Sequence, residues 1–295
     1  MRIAISCWGG LAGQLSGLAT AIWVQDYLQR PVTIHFHNGG ISRRDWEISD
    51  LATGFRVRTI RENAEIYGNS EKARLDERLL AKAILKAHQL GDPLRITCVG
   101  ARIDAGLVQR VEPWTLSVWG YPTDWSRILG ALPDLSDRIT RSGRPNFFVG
   151  AGQGNYIAVH WRLGDYVQSR SANAFHGTIS ARSILDAISL LPETDLPVRL
   201  FTDSPDIALK QMSREGSLSG IDIVQQSIWQ DLVDMTRGKY FIGSHSGVSL
   251  WAALARKHSG CDQVLLPDRW FRTETLKEFD PNQSLTYDEY PVEFD

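Results

Sequence analysis

The 295-residue chain holds only three cysteines, Cys7, Cys98 and Cys261, far apart and set in mostly apolar surroundings. No two form a C-x-x-C pair, so a disulfide framework and a thiolate zinc site are both excluded, and the three read as buried free thiols of a reducing compartment. No apolar run approaches the roughly 20 residues of a membrane span. The chain opens on strand-like residues rather than on a basic segment with an apolar secretion core, and the expected location is cytoplasmic. An excess of charge of one sign is missing too. Lys and Arg total 32 against 34 Asp and Glu, a formal net charge of −2, so nucleic acid is not an expected partner and any anion site must be local. Two phosphate-binding signatures are absent. There is no G-K-[ST], and the glycines of the first turn fall at 9, 10, 13 and 17. That spacing breaks G-x-G-x-x-G, and no acidic residue ends the second strand to take a ribose hydroxyl, which speaks against a Rossmann oxidoreductase.

What is present is ordinary for a folded α/β protein: 43% hydrophobic and 22% charged residues, and a length that suits two domains. Arg2 to Cys7 reads as a buried strand. Leu11, Leu15, Leu18 and Ile22 recur at helical spacing, Pro31 stops that helix, and Val32 to Phe36 forms a second strand. The turn between them, Gly9-Gly10-Leu11-Ala12-Gly13-Gln14, lets backbone N–H groups approach a ligand, with Gln14 adding a polar side chain there. Glu71 to Leu90 is an amphipathic helix with a solvated charged face. Leu94 to Val99 and Thr115 to Trp119 are further strands, and Ser126 to Leu132 a short helix. From Pro133 to Asn155 the sequence is loop-like, which divides the chain into domains 1–150 and 151–295. A second series follows, with strands at Tyr156–His160, Pro197–Phe201, Ile221–Val224, Tyr240–Ile242 and Gln263–Leu266. Helices begin at Ala181 behind Ser180, at Pro205 behind Ser204, and at Gly247. Such alternation implies an α/β fold with mainly parallel sheets.

In a parallel sheet the carboxyl ends of the strands share one edge, where ligands bind. Three polar clusters fall there: His160-Trp161-Arg162-Leu163-Gly164-Asp165, Thr202-Asp203-Ser204, and Gly243-Ser244-His245-Ser246-Gly247-Val248-Ser249. Arg162 offers a planar fork suited to a diphosphate. Ser244 and Ser246 stand where a helix begins, and free N–H groups there favour an anion. Asp203 can accept two parallel hydrogen bonds from guanine. Each cluster has a plainer reading, with Arg162 and Asp165 an internal ion pair, Asp203 and Ser204 a helix cap, and the serines a closed turn. Their coincidence on one edge favours a nucleotide-diphosphate site. His35 and His37 share one face of the second strand without a third metal ligand, so no metal is expected. Trp8, Trp46 and Trp161 lie near the loops of that edge, where rings could stack on sugars.

These residues resemble the bacterial and animal alpha-1,2-fucosyltransferases and, more broadly, the fucosyltransferases sharing an H-x-R-x-G-D signature. The family's G-G-L-G-N-Q-L turn is similar to Gly9 to Leu15, its H-x-R-R-G-D-Y to His160 to Tyr166, and its strand-end acidic motif to Phe201-Thr202-Asp203-Ser204. Its D-L-x-L-M-S and N-S-T-F-S-W-W-G-A segments are similar to Asp231 to Thr236 and His245 to Ala253. The resemblance implies a GT-B fold, two Rossmann-like lobes facing a cleft, with an N-terminal acceptor lobe and a C-terminal lobe holding GDP-fucose. It implies an inverting glycosyltransferase with no metal requirement, and a glycan or lipid-linked oligosaccharide acceptor in surface polysaccharide synthesis, with peripheral contact to the inner membrane. Carried over by position, Arg162, His160 and Asp165 are the expected catalytic residues. The expected nucleotide-sugar contacts are Gly10, Gln14, His160, Arg162, Asp203, Ser244, His245, Ser246, Val248 and Ser249. The base that activates the acceptor is one of His35, His37, Asp165 and His245. Departures from the family pattern include Gly13 for its asparagine, Leu163 for its second arginine, and His245 and Val248 for a later asparagine and phenylalanine. They leave another donor sugar, or a non-catalytic nucleotide-sugar or glycan-binding protein, as alternative readings.

Overall fold

A computed structural model of the chain describes residues 2–37, 44–60, 95–97, 115–119, 125–216, 220–272, 285 and 287–294. The helix expected over Glu71 to Leu90 lies outside the described residues. The chain forms two compact units, Met1–Ser142 and Gly143–Asp295. In both, every pairing between named strands is parallel.

The first unit holds β1 (Arg2–Trp8), α1 (Leu11–Leu28), β2 (Val32–His37), β3 (Arg56–Ile60), β4 (Arg95–Thr97), β5 (Thr115–Trp119) and α2 (Trp125–Arg141). Its sheet order is β3-β2-β1-β5-β4. Helix α1 is buried on almost every side from Leu11 to Val24, because it packs on both β1 and α2. Its hydroxyls stay satisfied by turning back on the helix: Ser16 Oγ donates to the Ala12 carbonyl at 2.9 Å and Thr20 Oγ1 to that of Ser16 at 2.8 Å. Gly17 is where α1 meets β1. A Cβ there would stand 2.3 Å from Cys7 Cβ, so only glycine admits this approach of helix to strand.

The sequence pattern suggests that the helix beginning at Ser126 ends before Pro133, and the structure corrects this. Helix α2 runs through Pro133 to Arg141. Ile128, Ala131, Leu132, Leu135 and Ile139 are all at most 2% exposed, and their helical spacing carries the apolar face past the proline. Continuous burial outweighs the roughly 3 kcal/mol that a proline costs inside a helix.

The second unit holds β6 (Ile157–Trp161), α3 (Gly164–Gln168), α4 (Arg170–His176), α5 (Ala181–Ser189), β7 (Val198–Thr202), α6 (Pro205–Arg214) and β8 (Ile221–Val224). It continues with α7 (Ile228–Arg237), β9 (Tyr240–Gly243), α8 (Gly247–His258), β10 (Val264–Pro267) and β11 (Asp288–Tyr290). Sheet order β11-β10-β9-β6-β7-β8 is the doubly wound arrangement, in which the chain leaves β6 toward one side and later returns to its other side at β9. The expected caps form in part. Ser180 Oγ accepts from Ser183 N at 3.1 Å, whereas Ser204 precedes α6 with no side-chain cap bond. Helix α8 is fixed at its far end by Arg256, which is fully buried. Its Nη1 donates to the carbonyls of Thr236 at 2.7 Å and Gly238 at 2.5 Å, and its Nη2 to those of Lys239 at 2.9 Å and Gln263 at 3.1 Å. The guanidinium thus neutralises the carbonyl end of α7 and holds α8 against it. Among the described residues, no helix is long and apolar enough to cross a membrane.

Candidate functional site at the carboxyl edge of the second sheet

Strand β6 lies between β7 and β9, with Trp161 paired to Thr202 and His160 to Gly243. The three polar clusters therefore leave the sheet side by side, and the clusters of β6 and β9 flank the point where the winding reverses. Open parallel sheets place their ligands at that point.

The centre of the cluster is Asp203. Its Oδ1 accepts from Leu163 N at 3.0 Å and from Gly164 N at 2.9 Å, and its Oδ2 stands 2.8 Å from Arg162 Nη1. The remaining face of the Arg162 fork meets Asp165, with Nε and Nη2 at 3.1 and 2.8 Å from Oδ1. The Arg162 side chain is 28% exposed and that of Asp165 57%. Burial pulls the arginine's pKa down, but Asp203 and Asp165 more than offset it and the net shift is upward. Arg162 is a fixed cation at the lip of the sheet, its outer carboxylate in contact with water.

Beneath Arg162 lies a buried polar layer. The Arg162 backbone N–H donates to Ser244 Oγ at 3.1 Å, and Ser244 N donates to the His160 carbonyl at 3.0 Å. His160 Nδ1 and Ser249 Oγ are 2.6 Å apart. Ser246 caps α8, its Oγ accepting from Val248 N at 3.3 Å. His245 sits edge-on to Phe294 and against Tyr166, which stacks on His176 with ring centroids 4.4 Å apart. The His245 Nε2 is 3.2 Å from the Gly177 carbonyl. Desolvation holds all three histidines neutral. Their pKa values fall from 6.5 to about 4 for His160 and His176 and to about 3 for His245.

Several expected ligand contacts are corrected by this geometry. Asp203 has no pair of acceptors left for guanine, since both of its oxygens are held by the protein. His160, Ser244, His245 and Ser249 are each at most 5% exposed and hydrogen-bond within the protein, so they shape the edge from beneath. His245 is accordingly removed from the candidate bases. Trp161 is fully buried and donates to the Ile179 carbonyl at 2.9 Å, which places it in the core. In the first unit Gln14 is fully buried. Its Nε2 donates to the carbonyls of Gly9 at 3.1 Å and Asp45 at 2.8 Å, and its Oε1 accepts from Glu47 N at 2.8 Å. The amide ties the loop after β2 to the glycine turn instead of facing a ligand. Trp46 packs on Phe36 at 5.0 Å. Gly10 keeps an open position, with no atom within 4 Å of an added Cβ. The side chains of Trp8 and His37 lie outside the described residues. Among those described, no three His, Cys, Asp or Glu side chains are grouped to hold a metal.

Two contributors escaped sequence reasoning. An added Cβ on Gly164 would lie 2.2 Å from Asp203 Oδ2, so this glycine makes the room in which the carboxylate reaches the backbone. His176 closes the aromatic stack from the end of α4. Its signal in the sequence was weak, because α4 is only 7 residues long and its roughly two turns are too few to display a period.

No protein-family model matches the chain. An alpha-1,2-colitosyltransferase from Escherichia coli is 31% identical over 133 residues, which cover 43% of this chain and 45% of that protein. The match spans less than half of that relative's length. Among solved structures, the apo form of POFUT1 aligns over 90% of this chain and 97% of its own, at 13% identity and a TM-score of 0.45. The E. coli heptosyltransferase WaaC with ADP aligns over 99% and 92%, at 14% identity and a TM-score of 0.43. Fucosyltransferase NodZ from Bradyrhizobium aligns over 85% and 92%, at 14% identity and a TM-score of 0.37. At such scores the structural likenesses carry no weight in assigning function, which is argued from the site and the sequence match.

Two outcomes are expected. Gly164→Ala should expel the Asp203 carboxylate and lower stability by about 1–3 kcal/mol, the range for overpacking or for an orphaned buried polar group; urea unfolding measures it. The neutral histidines make the second. The unfolded chain takes up their protons near pH 6.5, whereas the folded chain resists down to about 4 for His160 and His176 and about 3 for His245. Stability is therefore complete above pH 6.5 and drains as pH falls, by about 1.4 kcal/mol per pH unit for each proton. A slope of less than one proton between pH 6 and 5 would show that these rings are not held neutral.

Proposed function

We propose that the protein is an inverting glycosyltransferase that moves a deoxy sugar of the fucose type from its GDP-linked donor to a glycan hydroxyl. The observation that carries this reading is Arg162, a fixed cation at the reversal point of a doubly wound sheet, whose outer carboxylate partner can be exchanged. The resemblance of His160 to Tyr166 to the H-x-R-x-G-D signature supports it, as does the 31% identity to an alpha-1,2-colitosyltransferase. Fucose and colitose differ by one ring hydroxyl, and both are candidate donor sugars. With Asp203 committed to the backbone, the preference for guanine rests on the resemblance.

The donor's diphosphate takes the place of Asp165 on Arg162, while Asp203 keeps the fork aimed. Negative charge growing on the leaving group meets the guanidinium and the N-terminus of α8, neither of which must reorient during reaction. The acceptor oxygen attacks the anomeric carbon from the face opposite the leaving group. The bond from that carbon to the diphosphate oxygen breaks, its electron pair stays on GDP, and configuration inverts. Asp165, released from Arg162 by the donor, takes the acceptor proton. This route calls on no metal. Residues 1–142 are assigned to the acceptor, a glycan or lipid-linked oligosaccharide for a surface polysaccharide at the cytoplasmic membrane face, and residues 143–295 to the donor.

GDP is expected to raise the melting temperature more than UDP or ADP do, by mass action on the native state, and a preference for UDP would overturn the donor assignment. Arg162→Ala should weaken GDP binding and transfer by about 10²–10⁴, since two charge-assisted hydrogen bonds at about 1.5–3 kcal/mol each are lost. Asp165→Asn separates binding from chemistry. GDP affinity should hold or rise, while transfer falls by about 10²–10⁴. Unchanged turnover in that variant would remove Asp165 as the base.

A further inference from the structure

The first unit carries a groove at the edge of its sheet away from the glycine turn. Its volume is about 670 Å³, and it is walled by the end of α1, the turn before β3, and the middle of α2. Pro31, which precedes β2, and Phe55, which precedes β3, both line it. In a parallel sheet those positions mark the amino edge. The groove is thus at the opposite end of the sheet from the Gly9–Gly10 turn. Its volume falls within the roughly 300–1,000 Å³ of small-molecule sites.

The walls are fixed in advance. Arg138 on α2 donates through Nη1 to the carbonyls of Leu51 at 3.0 Å and Thr53 at 2.6 Å, and its Cζ lies 5.1 Å from the centre of the Phe55 ring. Its Nε bonds Asp134 Oδ2 at 2.9 Å. One side chain therefore staples the turn to the helix across the groove, and a ligand need not order these elements on arrival.

The lining favours a neutral, hydroxylated ligand with apolar faces. Trp23 lines the groove, and its ring is braced by Tyr27, outside the lining, at 5.3 Å between centroids. Beside this ring stand the amides of Gln25 and Gln29 and the carboxylate of Asp26. Gln29 Nε2 donates to the Asp26 carbonyl at 2.5 Å and Gln25 Oε1 accepts from Val32 N at 3.4 Å, which turns the Gln29 carbonyl oxygen and the Gln25 amino group to the hydroxyls of a ligand. The charge of Asp134 is matched by Arg138 and, at 3.7 Å, by Arg141. Helix α1 presents its carbonyl end here, and Arg30, which follows its C-cap, also lines the groove and offsets the charge of Asp26, so with Asp134 matched the lining carries no net charge. Rings that cover sugar C–H faces, with amides and a carboxylate for hydroxyls, match a saccharide.

Local rules are also broken around this groove more than packing requires. Gln29 has φ 52°, the one positive-φ non-glycine among the described residues, at a helix end where glycine costs least. Gly130 sits inside α2 with nothing within 4 Å of an added Cβ, so close packing does not explain the roughly 1 kcal/mol a helical glycine forgoes relative to alanine. Pro133 removes the N–H that would bond the Leu129 carbonyl. All three line the groove. Residues that contradict local propensity without a packing reason gather where function constrains the chain.

We infer that this groove is a saccharide-binding site for a neutral oligosaccharide, distinct from the sugar-transfer edge. It holds glycan whether or not the protein transfers sugar, so its test needs no nucleotide and no turnover. The full chain is applied to a printed array of neutral and acidic oligosaccharides, and the strongest neutral ligand is titrated by calorimetry. Two variants keep the fold. Gln29→Gly relieves a left-handed backbone while deleting an amide, and Gly130→Leu adds a helix-forming side chain that fills the groove. Both should melt at or above the temperature of the parent and keep the GDP-induced shift, yet lose saccharide affinity at least tenfold. Trp23→Ala should lose it as well. Binding of no neutral oligosaccharide, binding of acidic ones alone, or binding unaltered by Gly130→Leu would each overturn the assignment. Loss of the GDP response in the parent chain would instead count against the transferase reading and leave the groove standing.

Discussion

The candidate site depends on a single carboxylate. Asp203, at the end of β7, accepts from the backbone of Leu163 and Gly164 and pairs with Arg162. It therefore decides where the chain turns after β6 and where the guanidinium points. Two neutral N–H groups and one cation satisfy its oxygens, so the charge is not left uncompensated at a half-buried position. Without Asp203, the Arg162 fork keeps only Asp165, an exposed neighbour three residues along the same chain, and an exposed pair of that kind contributes little to holding a geometry. The glycine of the H-x-R-x-G-D pattern belongs to this same constraint, because any side chain at Gly164 would occupy the volume of the carboxylate.

The layer below has a different task. Ser244, Ser249 and His160 connect β6, β9 and α8 through hydroxyls and a neutral imidazole. Neutral groups can be packed beneath a cation without adding repulsion. Burial that lowers the histidine pKa values thus serves the charge above them. A protonated His160 would place a second cation beside Arg162, whose influence already contributes to depressing it.

Most strand positions were legible in the sequence because buried strands leave largely apolar runs and helices alternate with them, whereas β3 and β11, written RVRTI and DEY, carry too many charged residues to show such a run. The same regularity located the polar clusters on one edge. What the sequence did not reveal is which polar side chains face outward. Ser244, His245 and Gln14 have the composition of ligand contacts, yet a residue that closes a loop on the backbone needs the same donors and acceptors as one that binds a nucleotide. Three-dimensional depth separates the two, and depth has no local signature. Pro133 misled for a related reason: its local cost was visible, whereas the apolar face from Ile128 to Ile139 that outweighs it acts over several turns. Helices α3 and α4, at 5 and 7 residues, are too short to display a period.

Parallel α/β units also give their two edges opposite electrical character. Helices follow strands, so the carboxyl edge gathers helix N-termini and the amino edge gathers helix C-termini. The first favours an anion, and α8 begins there close to Arg162. The second is unfavourable for anions, and a groove there must bind through ring faces and hydrogen bonds, as the surroundings of Trp23, Gln25 and Gln29 allow. The polarity of the fold thereby assigns charged and neutral ligands to opposite ends of a sheet before any specific side chain is chosen. Arg162 and Asp203 refine that assignment at one edge of the second unit, and the strained Gln29 does so at the other edge of the first.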